Sequence, residues 1–104
     1  MITVAIVDDE QLIASSLATL LELEADLTVT ETFASGEEVI SRWEKASALE
    51  SLLPDVLVTD LQLGGIDGVE LAQEISRLSP QTAVVIVTSH SRPKRQDVLV
   101  RLYG

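Results

Sequence analysis

Residues 56–71 read V-L-V-T-D-L-Q-L-G-G-I-D-G-V-E-L, an apolar run that ends on a carboxylate and passes into a glycine-rich turn. Val56 to Thr59 is short, mostly β-branched and almost free of polar groups, the pattern of a strand buried on both faces of a parallel sheet. Asp60 then stands at its carboxyl end. Gly64, Gly65 and Gly68 permit the backbone turns that a loop needs there. Asp67, with Glu70 three residues later, predicts an N-cap and capping box. The helix it opens has its apolar positions at Val69, Leu71, Ala72, Ile75 and Leu78. The unit is strand, carboxylate, loop, helix, and in open α/β sheets ligands bind at that junction.

Outward from this unit, the same alternation repeats. Thr3–Val7 predicts a buried strand that stops at Asp8-Asp9-Glu10. Residues 10–24 follow as a helix, with Leu12, Ile13, Leu17, Leu20 and Leu21 at helical spacing. Leu27–Phe33 alternates as an edge strand would, and Ser35 to Glu38 is a second capping box, before a helix carrying Val39, Ile40 and Trp43. This helix or its exit runs on through 45–53, and Pro54 marks entry to the central strand. Ser79-Pro80-Gln81 is a turn, and Ala83–Val87 is the most strand-like segment of the chain. Residues 92–104 offer Val98, Leu99 and Leu102 at helical spacing, which predicts a closing helix. The order β-α-β-α-β-α-β-α implies a parallel sheet covered on both faces. Strands one, three and four then end in Asp8-Asp9, Asp60 and Thr88, which meet in one cleft if the strands are neighbours.

With 104 residues the chain forms one domain, 1–104, and its single Trp, Tyr and Phe leave the core to aliphatic side chains. The absence of cysteine excludes disulfides, thiolate metal sites and a cysteine nucleophile, and agrees with a cytoplasmic setting. The first residues lack the pattern of a signal peptide, and no apolar run approaches membrane-spanning length. Residues 1–91 carry 16 acidic and 3 basic side chains, a balance of −13. Such a surface repels a phosphate backbone, so direct nucleic-acid binding by this chain is not expected.

Three carboxylates at one strand edge repel each other by roughly 4 kcal/mol per pair at about 4 Å and an effective dielectric near 20. A hard divalent cation relieves this repulsion. Mg²⁺ takes oxygen ligands and commonly uses one or two carboxylates plus a phosphate oxygen, so Asp8, Asp9 and Asp60 supply a half-built site. A carboxylate beside Mg²⁺ can itself attack phosphorus to give an aspartyl phosphate.

The residues I-V-D-D-E at 6–10, V-T-D-L-Q-L-G-G-I-D-G-V-E-L at 58–71 and V-V-I-V-T-S at 84–89 resemble the receiver domain of bacterial two-component response regulators. The central motif is most similar to those with a C-terminal helix-turn-helix output. The resemblance covers residues 1 to about 91. It implies a flavodoxin-like doubly wound α/β fold, with the chain supplying strand order 2-1-3-4 and lacking the fifth strand and helix. It also implies that Asp60 accepts a phosphoryl group from a sensor histidine kinase. Asp9 would be a direct metal ligand, Asp8 would assist, and the Gln62 carbonyl would complete the protein's share of the Mg²⁺ shell. Thr88 would be the hydroxyl switch residue and Ser89 the small residue beside the phosphoryl group, with Gln62 and His90 tuning the lifetime of the phosphate. Such a domain is a switch and not an enzyme acting on a separate substrate.

Two departures from the family pattern bear on this. Gly64 stands where the family usually has proline, which loosens the loop. The lysine that pairs with the phosphoryl group, at the end of the family's fifth strand, has no counterpart; Lys94 comes too soon after Thr88. A missing fifth strand would also leave Ala83–Val87 as an exposed apolar edge, which predicts self-association, as a homodimer with or without exchanged segments. The missing lysine keeps open a receiver-like interaction module that is never phosphorylated. A small phosphatase of the aspartyl-phosphate type fits less well, because it would need an Asp where Gln62 stands. The blander readings are helix capping by Asp8-Asp9-Glu10, a solvated His90, and Trp43 as core packing.

Overall fold

A computed structural model describes residues 1–46, 53–92 and 95–103, through the backbone alone from residue 88 onward. Its elements are β1 (Ile2–Val7), α1 (Gln11–Glu22), β2 (Leu27–Phe33), α2 (Gly36–Ala46), β3 (Val56–Asp60), α3 (Gly68–Leu78), β4 (Ala83–Arg92) and β5 (Arg95–Tyr103). They build one sheet of order β2-β1-β3-β4-β5. The first four strands are parallel, in the doubly wound 2-1-3-4 order expected, with β2 at the edge. The expected exit of α2 through 47–52 lies outside the described residues.

The period of two along each strand separates two cores. Ala5, Val7, Leu57, Val84 and Ile86 point to one face, where Val39 and Trp43 of α2 and Leu71, Ala72 and Ile75 of α3 close over them. Val4 and Ile6 point to the other face and meet Ala14, Leu17 and Leu21 of α1. Ile6, Leu57, Leu71, Ile75 and Ile86 are fully buried, each worth roughly 1.5–3 kcal/mol relative to exposure. Trp43 is core packing, at 2% exposure. Helical spacing alone overstated the buried face of α1, because Leu12 and Leu20 are 81% and 61% exposed.

The caps follow the sequence. Asp67 accepts the Glu70 N–H at 2.8 Å and starts α3. At α2, the Ser35 hydroxyl accepts the Glu38 N–H at 3.2 Å, while the Glu38 carboxylate reaches back to the Ala34 N–H at 3.1 Å. The box therefore closes one residue earlier than the usual pattern.

The tail corrects the expectation. Residues 95–103 form β5, antiparallel to β4, where a helix was predicted. Its register runs from Arg92↔Arg95 to Val84↔Tyr103. The segment D-V-L-V-R-L-Y is short and rich in β-branched and apolar residues, for which helical spacing does not discriminate. The free edge of β4 offers it a full ladder of backbone partners, so the edge decides. The fifth position of the sheet is thus filled, by a strand of opposite direction to its neighbour, and Val84–Val87 is not an open edge.

Candidate functional site

β1 and β3 are in register, with Val7 opposite Thr59. The next residues along, Asp8 and Asp60, therefore leave the sheet side by side. Asp8 is held from two sides: its N–H donates to the Phe33 carbonyl at 3.0 Å, and its Oδ1 accepts the Glu10 N–H at 2.8 Å. It is 6% exposed, whereas Asp9 beside it is open to solvent. One carboxylate oxygen each from Asp8, Asp9 and Asp60 lie within 4.8 Å of one another. The three residues singled out from the sequence do converge.

The half-buried Asp60 carboxylate has a raised pKa. Burial is the largest cause, and the charges of Asp8 and Asp9 push the same way. The backbone N–H groups of Gln62 and Leu61 pull it back; the Gln62 N–H lies 3.3 Å from Asp60 Oδ1. Burial and like charge therefore both disfavour the ionised form of Asp60, a cost that a nearby cation would lower.

The loop after Asp60 is fastened along its length. Leu61 N–H donates to the Val87 carbonyl at 3.2 Å, extending the β3–β4 ladder, and Gly68 N–H closes back on the Leu61 carbonyl at 2.8 Å. A Cβ at Gly68 would stand 2.6 Å from the Asp60 carbonyl oxygen, so only glycine fits this approach. At Gly64 a Cβ would meet only Asp9 Oδ2, at 3.9 Å, so this position is roomy. Farther along, the Ile66 N–H donates to Glu37 of α2 at 3.0 Å. Sequence reasoning missed Glu37, since its neighbour Glu38 accounted for the capping pattern. A groove of about 680 Å³ runs along β2 and α2 past Glu31 and Arg42, and none of the three carboxylates lines it. A smaller cavity of about 220 Å³ lies beside Asp8, between Gln11, Phe33 and Glu38.

Thr88 follows Val87, the β4 partner of Asp60, so its backbone stands at the same sheet edge. The side chains of Thr88, Ser89 and His90 lie outside the described residues. In the β4–β5 register Thr88 pairs with Leu99 and His90 with Asp97.

A five-stranded doubly wound sheet with three carboxylates at its carboxyl edge defines the class. Residues 4–101 match the family model of the response regulator receiver domain, and the chain belongs to this family of two-component signalling proteins. Among curated proteins it is 31% identical over 93 residues to the uncharacterized transcriptional regulatory protein YvfU of Bacillus subtilis, covering 89% of this chain and 44% of that one. It is 40% identical over 89 residues to the DNA-binding transcriptional regulator NtrC of Salmonella typhimurium, covering 83% and 17%. The chain thus spans less than half the length of these relatives. Among solved structures it is similar to the response regulator domain of Thermotoga maritima CheB, with a TM-score of 0.71 and 28% identity over 90% of this chain and 65% of that one. RcsB of Salmonella enterica, bound to the promoter rprA with the phosphomimetic BeF3−, gives a TM-score of 0.72 and 26% identity over 89% and 73%.

Proposed function

We propose that this chain is a phosphorylation-controlled switch in which Asp60 accepts a phosphoryl group from a phosphohistidine of a sensor histidine kinase. The observation that carries the reading is the convergence of Asp8, Asp9 and Asp60 within 4.8 Å at one sheet edge. The donor set suits Mg²⁺, a hard cation that takes oxygen ligands, since all three groups are carboxylates. Asp8, Asp9, Asp60 and the Gln62 carbonyl would hold the ion, which when bound neutralises charge on the carboxylates and on the transferred oxygens.

Asp60 supplies the nucleophile. Its carboxylate oxygen bonds to phosphorus as the N–P bond of the donor breaks, and the imidazole nitrogen keeps the electron pair. Water later cleaves the acyl phosphate and restores the carboxylate. Thr88, one residue beyond the β4 partner of Asp60, is the proposed hydroxyl that answers the new charge and passes it to an interface. The chain acts on itself and turns over no separate substrate. The relatives are named as transcriptional regulators, which supports a transcriptional output lying in sequence beyond the matched region. A cytoplasmic location agrees with such a partner, and among the described residues no helix is long and apolar enough to cross a membrane.

Self-association also belongs to this reading, on a different surface from the one first expected. Val58 packs toward α1, and its register partner Val85 points to the same face; both stay half-buried, as does Val87. Among the described residues α1 alone covers that side of the sheet, and a second copy would cover more of it.

The non-phosphorylated interaction module has one observation in its favour. The register sets Leu99 beside Thr88, where the family pattern asks for a lysine near the phosphoryl group. Intact-mass spectrometry after incubation with a small-molecule phosphodonor and Mg²⁺ separates the two readings. One phosphoryl adduct, absent from Asp60→Asn and from a chelator control, is expected; no adduct on folded wild-type chain would count against phosphorylation and favour the module or an inactive, shortened receiver.

A further inference from the structure

The two acidic residues in the first turn of α2 do different work. Glu38 turns back along its own helix to the Ala34 N–H at 3.1 Å, closing the cap. Glu37 leaves the helix and accepts the Ile66 N–H at 3.0 Å, twenty-nine residues away in sequence, in the loop between Asp60 and α3. The approach is close, although Glu37 and Gly65 are both exposed. A Cβ on Gly65 would run into the Glu37 carboxylate, and one on Gly36 would stand 2.7 Å from Ile66 Cγ1. The first turn of α2 thus grips both the amide and the side chain of Ile66.

This grip matters because the loop holds two adjacent glycines, Gly64 and Gly65, whose wide conformational freedom works against a single geometry. The same loop carries Gln62, whose N–H lies on Asp60 Oδ1. Untethered, residues 62–66 would sample positions in which that bond is broken.

We infer that Glu37 is a positioning residue for the phosphoacceptor: by binding the Ile66 amide it fixes the 61–67 loop, and through Gln62 it fixes the orientation of the Asp60 carboxylate. The inference rests on the reading of Asp60 as phosphoacceptor for its effect on phosphoryl uptake, while the tether itself is independent of that reading. Reach and the acceptor oxygen are what count, not charge. Glutamine at this position keeps both, whereas aspartate keeps the charge and falls one methylene short.

The test uses the full chain with Glu37→Gln, Glu37→Asp, Glu37→Ala and, as a control for the stability of α2, Glu38→Ala. Two quantities are read: amide hydrogen exchange at Gly65 and Ile66, and the initial rate of phosphoryl uptake from acetyl phosphate with Mg²⁺ by intact mass. Glu37→Ala and Glu37→Asp are expected to exchange Ile66 faster and to take up phosphoryl groups more slowly, each by about fivefold, the worth of one net hydrogen bond. Glu37→Gln should stay within about twofold of wild type, and Glu38→Ala should lower the melting temperature without slowing uptake by the folded chain. Unchanged exchange and uptake in Glu37→Ala would overturn the inference, as would equal slowing in Glu38→Ala. A wild-type chain that takes no adduct defeats the phosphoacceptor reading alone, and exchange at Ile66 then decides whether Glu37 holds the loop.

Discussion

At Asp60 the fold works against its own charge. Burial and the neighbouring charges of Asp8 and Asp9 raise its pKa, so the protonated carboxyl is favoured in the folded chain more than in the unfolded one. The folded state then binds more protons across the window between the ordinary carboxylate value and the raised one, and stability falls as pH rises through it. Above the window the cost is constant. Asp60→Asn removes this cost and should be more stable than wild type at pH 7 without metal, by about 1 kcal/mol if one carboxylate repulsion in largely aqueous surroundings is relieved. That corresponds to roughly 4–8 °C in melting temperature for a domain of this size. The gap should close below the ordinary carboxylate range, and Mg²⁺ should raise the melting temperature of wild type more than that of the variant. Scanning calorimetry of both proteins at low and neutral pH, with Mg²⁺ and with a chelator, checks each part. A wild type more stable than Asp60→Asn at neutral pH without metal would contradict this account of the site.

Among the elements, α3 depends on its cap. Asp67 accepts the Glu70 N–H at 2.8 Å, and Asp67→Ala should cost about 1 kcal/mol in urea unfolding, while Asp67→Asn keeps most of it. The urea dependence should not change, since the same surface is exposed on unfolding. The β4–β5 pair behaves differently, because its contribution lies in covering an edge. A chain ended at Arg92 loses β5 and frees one side of β4, from Val84 onward, to pair with another copy. Sedimentation velocity should then show more association than in the full chain; equal behaviour would argue that 95–103 does not occupy that edge.

For the whole molecule, two faces of one sheet are covered unequally. α2 and α3 close one face over Leu57, Val84 and Ile86, which are at most 2% exposed, and among the described residues α1 alone serves the other, leaving Val58, Val85 and Val87 half-buried. This asymmetry predicts reversible self-association that weakens at low salt, where the net charge of −10 opposes contact between copies. Sedimentation equilibrium over a range of protein and salt concentrations measures it. A monomer at every protein concentration and every salt level would refute it.

Features that depend on neighbours along the chain are legible in the residues alone. Apolar runs closed by Asp8 and Asp60, the caps at Ser35 and Asp67, and the alternation of strand with helix are local patterns with one physical reading each, and together they specify a doubly wound sheet and its acidic edge. Features that depend on distant partners arise only when the elements pack. Residues 95–103 have a helical spacing and a strand composition, and the free edge of β4 settles the choice. The grip of Glu37 on Ile66 has no local signal, since the two residues meet only when α2 and the β3–α3 loop pack together. The raised pKa of Asp60 likewise belongs to no segment, because its causes, burial and two carboxylates from another strand end, exist only once β1 and β3 lie side by side.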